Sequence, residues 1–164
     1  LVAAADDLIT DKDSDQIGRI RNILNQVEEE YDYCIIDCHP SVGIEVLNAL
    51  AAAEDIIIPI KADKNALDGM EELDDIIQEI RQYNEKLESV RCQVTMYTKD
   101  IDVIKGEEVL RNSKYDVFTT HIRHSKKVTA WTYENGQSLL ETTPRSAATR
   151  DYKNLVLEYM GKRV

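Results

Sequence analysis

One carboxylate is prominent in the sequence because of the residues that precede it. Asp37 follows Tyr33–Ile36, four apolar or aromatic residues that predict a buried strand. A rigid strand end carrying an Asp can help to hold Mg²⁺, whose oxygen ligands tolerate little geometric error. Because Asp is also a common turn former, this residue alone does not define a metal site.

Other patterns of catalytic or phosphate-binding residues are absent from the sequence. The glycines are too widely spaced for G-x-x-x-x-G-K-[ST] or G-x-G-x-x-G, the loops that cradle phosphates. His121 and His124 have no carboxylate or thiol at ligand spacing, and Ser41 is not in a G-x-S-x-G turn. The three cysteines form an odd, sparse set, which predicts reduced thiols rather than a disulfide framework.

The charge of the chain is distributed unevenly. The 164 residues include 20 Lys and Arg against 31 Asp and Glu, a net charge of −11. Residues 1–110 carry 10 basic and 26 acidic side chains, whereas residues 111–164 carry 10 basic and 5 acidic ones. The first part is therefore −16 and the second +5, which predicts a basic surface with modest, salt-sensitive affinity for phosphate groups. No apolar stretch is long enough to predict a membrane span.

Strands and helices are predicted to alternate along the chain. Alternating or continuous apolar runs predict strands at Leu1–Ala5, Tyr33–Asp37, Asp55–Ile60, Arg91–Tyr97 and Val117–Ile122. Helical spacing predicts helices over 13–27, Ile44–Ala53, Leu67–Ile80, Gly106–Asn112, Lys126–Glu134 and Ala147–Met160.

The last predicted helix is expected to turn Tyr152 and Val156, with Leu155 and Tyr159, towards the core, and Asn135–Ser146 is expected to be irregular. The order of elements predicts an α/β fold with a mainly parallel sheet covered by helices on both faces, in one domain of residues 1–164. Ligands of such sheets bind beyond the carboxyl ends of the strands.

Four motifs place the chain beside a known family. In order, they resemble motifs of the ParA partition ATPases, which are deviant Walker P-loop proteins related to MinD: Tyr31–Gly43 with Asn48–Leu50, Ala66–Met70, Gln93–Thr98 and Pro144–Tyr159. The resemblance implies a P-loop NTPase-like fold that is incomplete at its N-terminus. The chain is similar to the C-terminal part of such a protein, since the family's Walker A loop lies upstream of the matched segments.

The resemblance also implies roles for residues around the first motif. Asp37 would be the Walker B carboxylate, acting on Mg²⁺ through bound water. His39 and Pro40 would belong to switch II, the turn that responds to the γ-phosphate, and are expected to be catalytic with Asp37. His39 stands where the family has a proline, and Arg123 stands at a second such position.

The later motifs imply nucleotide and DNA contacts. Thr95 and Met96 would lie near the adenine, and the loop with Ile122 and Arg123 would form the other wall of that site. Lys99 and Lys127 would match family positions that contact DNA phosphates. Three further basic residues, in the basic last third of the chain, are expected to contact DNA phosphates as well: Lys126, Arg145 and Arg150.

The expected function follows from this resemblance. The intact parent would be a partition ATPase that binds ATP and Mg²⁺, dimerises, holds DNA non-specifically and is stimulated by a ParB-like partner. It would act in the bacterial cytoplasm at the nucleoid, without a membrane. The 164 residues alone, without a phosphate loop, are expected to bind no cofactor and to be inactive.

Two alternatives remain from the sequence. The departures at His39 and Arg123 allow a non-hydrolysing ParA-like scaffold or DNA-binding protein. A phospho-receiver domain would use Asp6 and Asp7 for Mg²⁺, Asp37 as phosphate acceptor and Lys61. Against the receiver, the stretch between Asp7 and Asp37 has room for one predicted helix where a helix, a strand and a second helix are required.

Overall fold

The structure is a computed structural model that describes residues 17–39, 41–126, 128 and 137–161. Its strands are β1 (Asp55–Lys61), β2 (Ser89–Thr95) and β3 (Asp116–Val117). Its helices are α1 (Arg19–Leu24), α2 (Ile44–Ala52), α3 (Lys64–Ile80), α4 (Ile101–Arg111), α5 (Leu139–Thr142) and α6 (Ala147–Tyr159).

The three strands form one sheet in the order β1-β2-β3. β2 and β3 pair in parallel, with Arg91 opposite Asp116 and Cys92 opposite Val117. Since α3 connects β1 to β2 and α4 connects β2 to β3, strands and helices alternate as the sequence predicts. The predicted α/β fold with a parallel sheet is confirmed. Pro59, which has no N–H to donate, lies in β1 at an edge of this sheet.

The chain divides into two compact units. The first runs as far as Ile56 and also includes Asp68–Ser89, and the second comprises Ile57–Leu67 and the chain from Val90 onward. The first unit has a core in which the apolar faces of α2 and α3 meet, with Leu47 and Ile80 fully buried. These two helices begin and end close to where their 3.6-residue apolar spacing predicts.

The carbonyl groups at the end of α2 are bound by side chains of the first unit. Asn84 is 3% exposed and donates from Nδ2 to the carbonyls of Leu50 and Ala53, at 2.9 and 2.7 Å. The guanidinium of Arg21 donates to the carbonyl of Ala51. The last carbonyls of a helix have no partner within it, so these side chains satisfy groups that would otherwise be left without one.

The second unit packs around the middle of the sheet. Its fully buried side chains include Val94 on β2, Leu110 on α4 and Phe118 after β3. Gly106 allows α4 to approach the chain after β1 closely, because a Cβ at this position would overlap the carbonyl group of Ala62.

One predicted strand is wrong. Residues 33–39 form no strand, and Ile35 is 93% exposed where a buried strand was expected. An apolar run becomes a strand only when a neighbour accepts its hydrogen bonds, and the described part of the chain provides no such neighbour here. The predicted strand Leu1–Ala5 lies outside the described residues.

The C-terminal part differs from the prediction in two ways. α5 interrupts the stretch expected to be irregular, because Ser138 and Glu141 form a capping box at its start. Tyr152 and Val156 were expected to face the core but are 42% and 54% exposed, since α6 instead buries the side that carries Ala148 and Asp151. The predicted helix Lys126–Glu134 lies largely outside the described residues.

Smaller differences concern the boundaries of two elements. α4 begins at Ile101, five residues before the predicted start, and β3 is only two residues long. Cys34, Cys38 and Cys92 are all free, as expected. Within the part of the chain that is described, no helix has the length and apolar character that crossing a bilayer requires.

Candidate functional site

Asp37 lies in the first unit, within residues 33–39, which form neither a helix nor a strand. Its side chain is exposed, and within the described ranges its carboxylate has no hydrogen-bond or ion-pair partner. Two residues later, the backbone N–H of Ser41 donates to Nδ1 of His39 at 3.3 Å, and the Ser41 hydroxyl lies 2.8 Å from the same nitrogen. This contact makes Nδ1 an acceptor and leaves the proton of the neutral ring on Nε2. Pro40, between them, lies outside the described residues.

The surroundings of Asp37 fit one kind of metal binding. No group of three or more His, Cys, Asp or Glu side chains is gathered anywhere in the described ranges. A lone exposed carboxylate can bind Mg²⁺ when phosphate oxygens and water supply the other ligands. Asp37 therefore suits a metal brought by a phosphorylated ligand and does not suit a resident metal centre. Beside it, partial burial and the charge of Asp37 raise the pKa of the Cys38 thiol.

In the second unit, the carboxyl end of β2 has an unusual backbone. Met96, immediately after the strand, has φ = 51°, the left-handed region that side chains other than glycine rarely adopt. Backbone in this region is often held at ligand sites, where the surrounding structure keeps it in place. Met96 is also 58% exposed, so its side chain is accessible at the edge where ligands of parallel sheets bind.

Hydrogen bonds hold the loop 122–124 against this strand end. The N–H of Tyr97 donates to the carbonyl of Ile122 at 3.0 Å, and the N–H of His124 donates to the carbonyl of Tyr97 at 2.9 Å. The N–H of Ile122 in turn donates to the carbonyl of Val94 at 2.8 Å. The two segments expected from the resemblance to face one base are thus neighbours in the second unit.

Arg123 is bound firmly by a residue of α6. Its Nε and Nη2 donate to the two carboxylate oxygens of Asp151 at 2.8 and 2.6 Å, and its backbone N–H donates to Oδ2 at 3.0 Å. A proline, which the family has here, could make none of these bonds because it lacks both the N–H and the guanidinium. The guanidinium of this residue, which was expected to belong to a wall of the base site, is therefore engaged with α6.

The pKa values of this pair reflect the contact. Burial would raise the pKa of Asp151, but the side-chain and backbone hydrogen bonds and the charge of Arg123 outweigh it and hold the pKa below 3.8, its ordinary value. The hydrogen bond with Asp151 raises the pKa of Arg123. The pair is thus charged at neutral pH and fixes the loop 122–124 on α6.

The other residues predicted for the base site differ in their contacts and in their exposure to solvent. Thr95 uses its hydroxyl to donate to the carbonyl of Ile60 at 3.3 Å. Ile122 is only 4% exposed and packs in the core of the second unit. Among Thr95, Met96, Ile122 and Arg123, it is Met96 that presents a large apolar side chain to solvent.

Two features of this edge were not foreseen from the sequence. The rings of Tyr97 and His121 stack with centroids 3.7 Å apart and an angle of 20°. Asp151, within the Pro144–Tyr159 motif, is 6% exposed and binds Arg123. A carboxylate on the buried side of a helix requires a partner, and this was the signal in the sequence that could have indicated Asp151.

The residues expected to contact DNA are mostly accessible. Lys99, Lys126, Arg145 and Arg150 are exposed in the second unit, whereas Lys127 lies outside the described residues. Arg150 donates weakly to the carbonyl of Arg145 at 3.5 Å. None of these four cations has an ion-pair partner in the described ranges.

Comparisons with known proteins agree with the fold and motifs. A family model described as an AAA domain matches residues 1–89. The chain is 38% identical over 103 residues to the chromosome partitioning protein ParA of Myxococcus xanthus, covering 61% of this chain and 36% of that protein. It is 27% identical over 143 residues to the sporulation initiation inhibitor protein Soj of Bacillus subtilis, covering 85% and 56%.

Solved structures extend the comparison to the fold. A plasmid partition protein from Borrelia burgdorferi superposes with a TM-score of 0.67 at 17% identity, over 94% of this chain and 57% of that one. A cobyrinic acid a,c-diamide synthase from Mycobacterium smegmatis, solved with an ATP analogue and magnesium, gives 0.70 at 21% identity, over 99% and 62%. At these identities the likeness shows the fold.

The α/β fold of these neighbours, together with the matching family model, places the chain in the class of P-loop NTPase-like proteins. Within that class, the chain belongs to the ParA/MinD-like family of P-loop ATPases. It spans about a third to just over half of the length of these two curated relatives.

Proposed function

We propose that this chain is part of a ParA-type partition ATPase, a protein that ATP and Mg²⁺ switch into a dimer that holds DNA. The observation that carries the proposal is the carboxyl end of β2, where Met96 has a left-handed backbone beside the hydrogen-bonded loop 122–124. Family membership supports it, because relatives named for chromosome partitioning match the chain.

Asp37 is assigned to the phosphate end of the nucleotide. Its exposed carboxylate would bind Mg²⁺ through water, and the magnesium would neutralise charge on the phosphates. His39 and Pro40 would form the turn that senses the γ-phosphate. His39 would present Nε2–H there, because Ser41 occupies its other ring nitrogen.

The base end is assigned to the second unit. Met96 would contact the adenine with its exposed side chain, and Thr95 would contribute to the same wall. The backbone of Ile122 and Arg123 would form the opposite wall. Because the guanidinium of Arg123 is bound by Asp151, its role would be to position this loop and not to touch the nucleotide.

The DNA-holding step is assigned to exposed cations of the second unit. Lys99, Lys126, Arg145 and Arg150, with Lys127, would contact backbone phosphates, which gives binding with little sequence preference. A ParB-like partner would stimulate hydrolysis and release the DNA. The protein would act in the bacterial cytoplasm at the nucleoid.

The test uses the complete gene product. We expect it to bind ATP with Mg²⁺ and to hydrolyse it. Asp37→Asn should lower hydrolysis by about 100-fold, since the metal supplies several kcal/mol of charge stabilisation. Asp32→Asn, which changes an exposed carboxylate five residues earlier, is the matched control and should change little. Equal hydrolysis by both variants would remove Asp37 from the mechanism.

The upstream reading frame provides an independent test. It should encode the family's K-G-G-x-x-K-[ST] phosphate loop, and the absence of that loop would contradict the ATPase proposal. The isolated 164 residues should show no measurable hydrolysis and very weak ATP binding, because their sequence contains no phosphate-cradling loop. Tight binding of ATP in calorimetry would contradict that expectation.

A second candidate function is a non-hydrolysing scaffold of the same family. It is favoured by His39, which replaces the family's proline and bonds to Ser41 instead. A complete gene product that binds ATP and DNA, yet releases no phosphate even with its partner, would identify this function.

A further inference from the structure

An apolar groove lies in the second unit, between α5, α6 and Val128. Its volume is about 690 Å³, and Leu140, Tyr152, Val156 and Leu157 contribute apolar side chains to it. Val156 is 54% and Leu140 49% exposed. Soluble proteins rarely leave such a cluster accessible unless something binds there.

The carboxylates near this groove are each engaged in contacts of their own. Asp151 is bound by Arg123, and Glu158 accepts from the backbone N–H groups of Thr119 and Thr120. Glu141 accepts from the N–H of Ser138. All three keep their negative charge, but within the described residues none of them forms an ion pair with Lys153 or Arg150.

The cations beside the groove have no such partners. Lys153 lines it, and Arg150 lies three residues before Lys153 and seven before Leu157, on the same side of α6. In the described ranges neither Lys153 nor Arg150 has an ion pair. The groove thus combines an apolar floor with a positively charged border.

We propose that this groove binds an amphipathic helix of a partner protein, whose apolar face is bordered by Asp and Glu. Helices bind to apolar grooves through side chains at i, i+3, i+4 and i+7, and acidic residues beside them would meet Lys153 and Arg150. The proposal goes beyond nucleotide and DNA binding, since neither ligand requires an apolar floor. Charge disfavours a second copy of α6 in the groove, because it would bring like cations together.

The experiment measures binding of a labelled synthetic helix to the 164-residue chain by fluorescence anisotropy. The probe is a 16-residue peptide with Leu at helical spacing and Glu at the flanking positions. The first control replaces every Glu by Lys, and the second scrambles the order so that the apolar stripe is lost. We expect the acidic peptide to bind at least about tenfold more tightly than either control.

Variants of the chain identify the site. Val156→Glu should weaken binding of the acidic peptide by about tenfold or more, because it places a charge on the apolar floor. Lys153→Glu should weaken binding of the acidic peptide and strengthen binding of the lysine peptide. The matched controls are Val109→Glu and Lys105→Glu, which change an exposed valine and an exposed lysine on α4, away from the groove. Both controls should leave the affinities for the two peptides unchanged.

Several outcomes would overturn the proposal. They are equal binding of the three peptides, binding of none, or binding insensitive to both groove variants. Self-association or binding to phosphatidylglycerol vesicles that Val156→Glu abolishes would assign the groove to a second copy or to a membrane instead. Loss of peptide binding in the complete gene product would show that the protein itself covers the groove. If Val156→Glu fails to fold, Lys153→Glu tests the proposal alone, because it alters only an exposed side chain. Its binding must then shift from the acidic peptide towards the lysine peptide.

Discussion

Arg123 forms hydrogen bonds through its backbone N–H and through its guanidinium, and proline has neither group. The backbone N–H and the guanidinium bind the same carboxylate, Asp151, and so join the loop 122–124 to α6. The resemblance implies that the loop carrying Arg123 forms a wall of the base site. The contact with Asp151 supports the positioning role proposed above for this residue.

The contribution of Asp151 to stability should depend on pH. Asp151→Asn should lower the free energy of unfolding at pH 7 by about 1.5 kcal/mol, the lower end for charged hydrogen bonds, since water partly screens Arg123. The folded-state pKa lies below the ordinary 3.8, so the stabilisation is present above that value and is lost as the pH falls through the folded pKa. Urea unfolding at pH 7 and pH 3 measures it.

The matched control for this prediction is Asp75→Asn, which changes an exposed carboxylate on α3. Its effect should be small at both pH values. A difference between wild type and Asp151→Asn that grows on acidification would contradict the assigned role of the carboxylate.

At the scale of elements, the carbonyl groups at the end of α2 depend on the side chain of Asn84, which follows α3, for a hydrogen-bond donor. Asn84→Ala should cost about 2 kcal/mol, because it leaves the carbonyls of Leu50 and Ala53 without their donor in a buried place. Asn112→Ala, at the exposed end of α4, is the control and should cost little. Thermal unfolding of the two variants provides the comparison, and equal losses would contradict the prediction.

Two helix glycines should respond oppositely to the same substitution. Gly106→Ala should destabilise by about 1–3 kcal/mol, since its methyl group would overlap the backbone of Ala62. Gly69→Ala should stabilise by up to about 1 kcal/mol, because among the described residues no atom beyond its chain neighbours and the backbone of its own helix lies within 4 Å of the new methyl group, and alanine favours α3. Denaturant unfolding checks both signs, and a stabilising Gly106→Ala would mean that α4 is not held close to Ala62.

The elements also show where sequence reasoning succeeds and where it fails. Ile44–Ala52 and Ala147–Tyr159 could be predicted almost residue for residue, because helical hydrogen bonds are local and the apolar spacing is visible. The strand Tyr33–Asp37 could not be judged in this way, since a strand requires a neighbour that its own residues do not encode. For the same reason the Arg123–Asp151 contact, across 28 residues, was not foreseen.

At the scale of the whole molecule, the division of charge leads to a prediction about DNA. Reversal of Lys126 and Lys127 to Glu in the complete gene product should weaken DNA binding and leave ATP affinity unchanged. The slope of log affinity against log salt should fall by about 2, one for each lost phosphate contact. DNA retention across a salt series measures both effects.

The control reverses two cations in the acidic part of the chain, Arg81 and Lys86, which are exposed. This variant has the same change in net charge, so it separates a local contact from a general effect of charge. Equal loss in both variants, or unchanged retention in the first, would count against a phosphate-binding surface in the basic part.

The contacts of Glu158 have a consequence for which sequences this fold can accept. Its carboxylate accepts from the backbone N–H groups of Thr119 and Thr120, at 2.6 and 2.8 Å, and the side chains of both threonines add to the contact. Every amino acid except proline offers that N–H group. The backbone part of the contact therefore survives a change of residue type at these two positions, and proline is the substitution that evolution should avoid there.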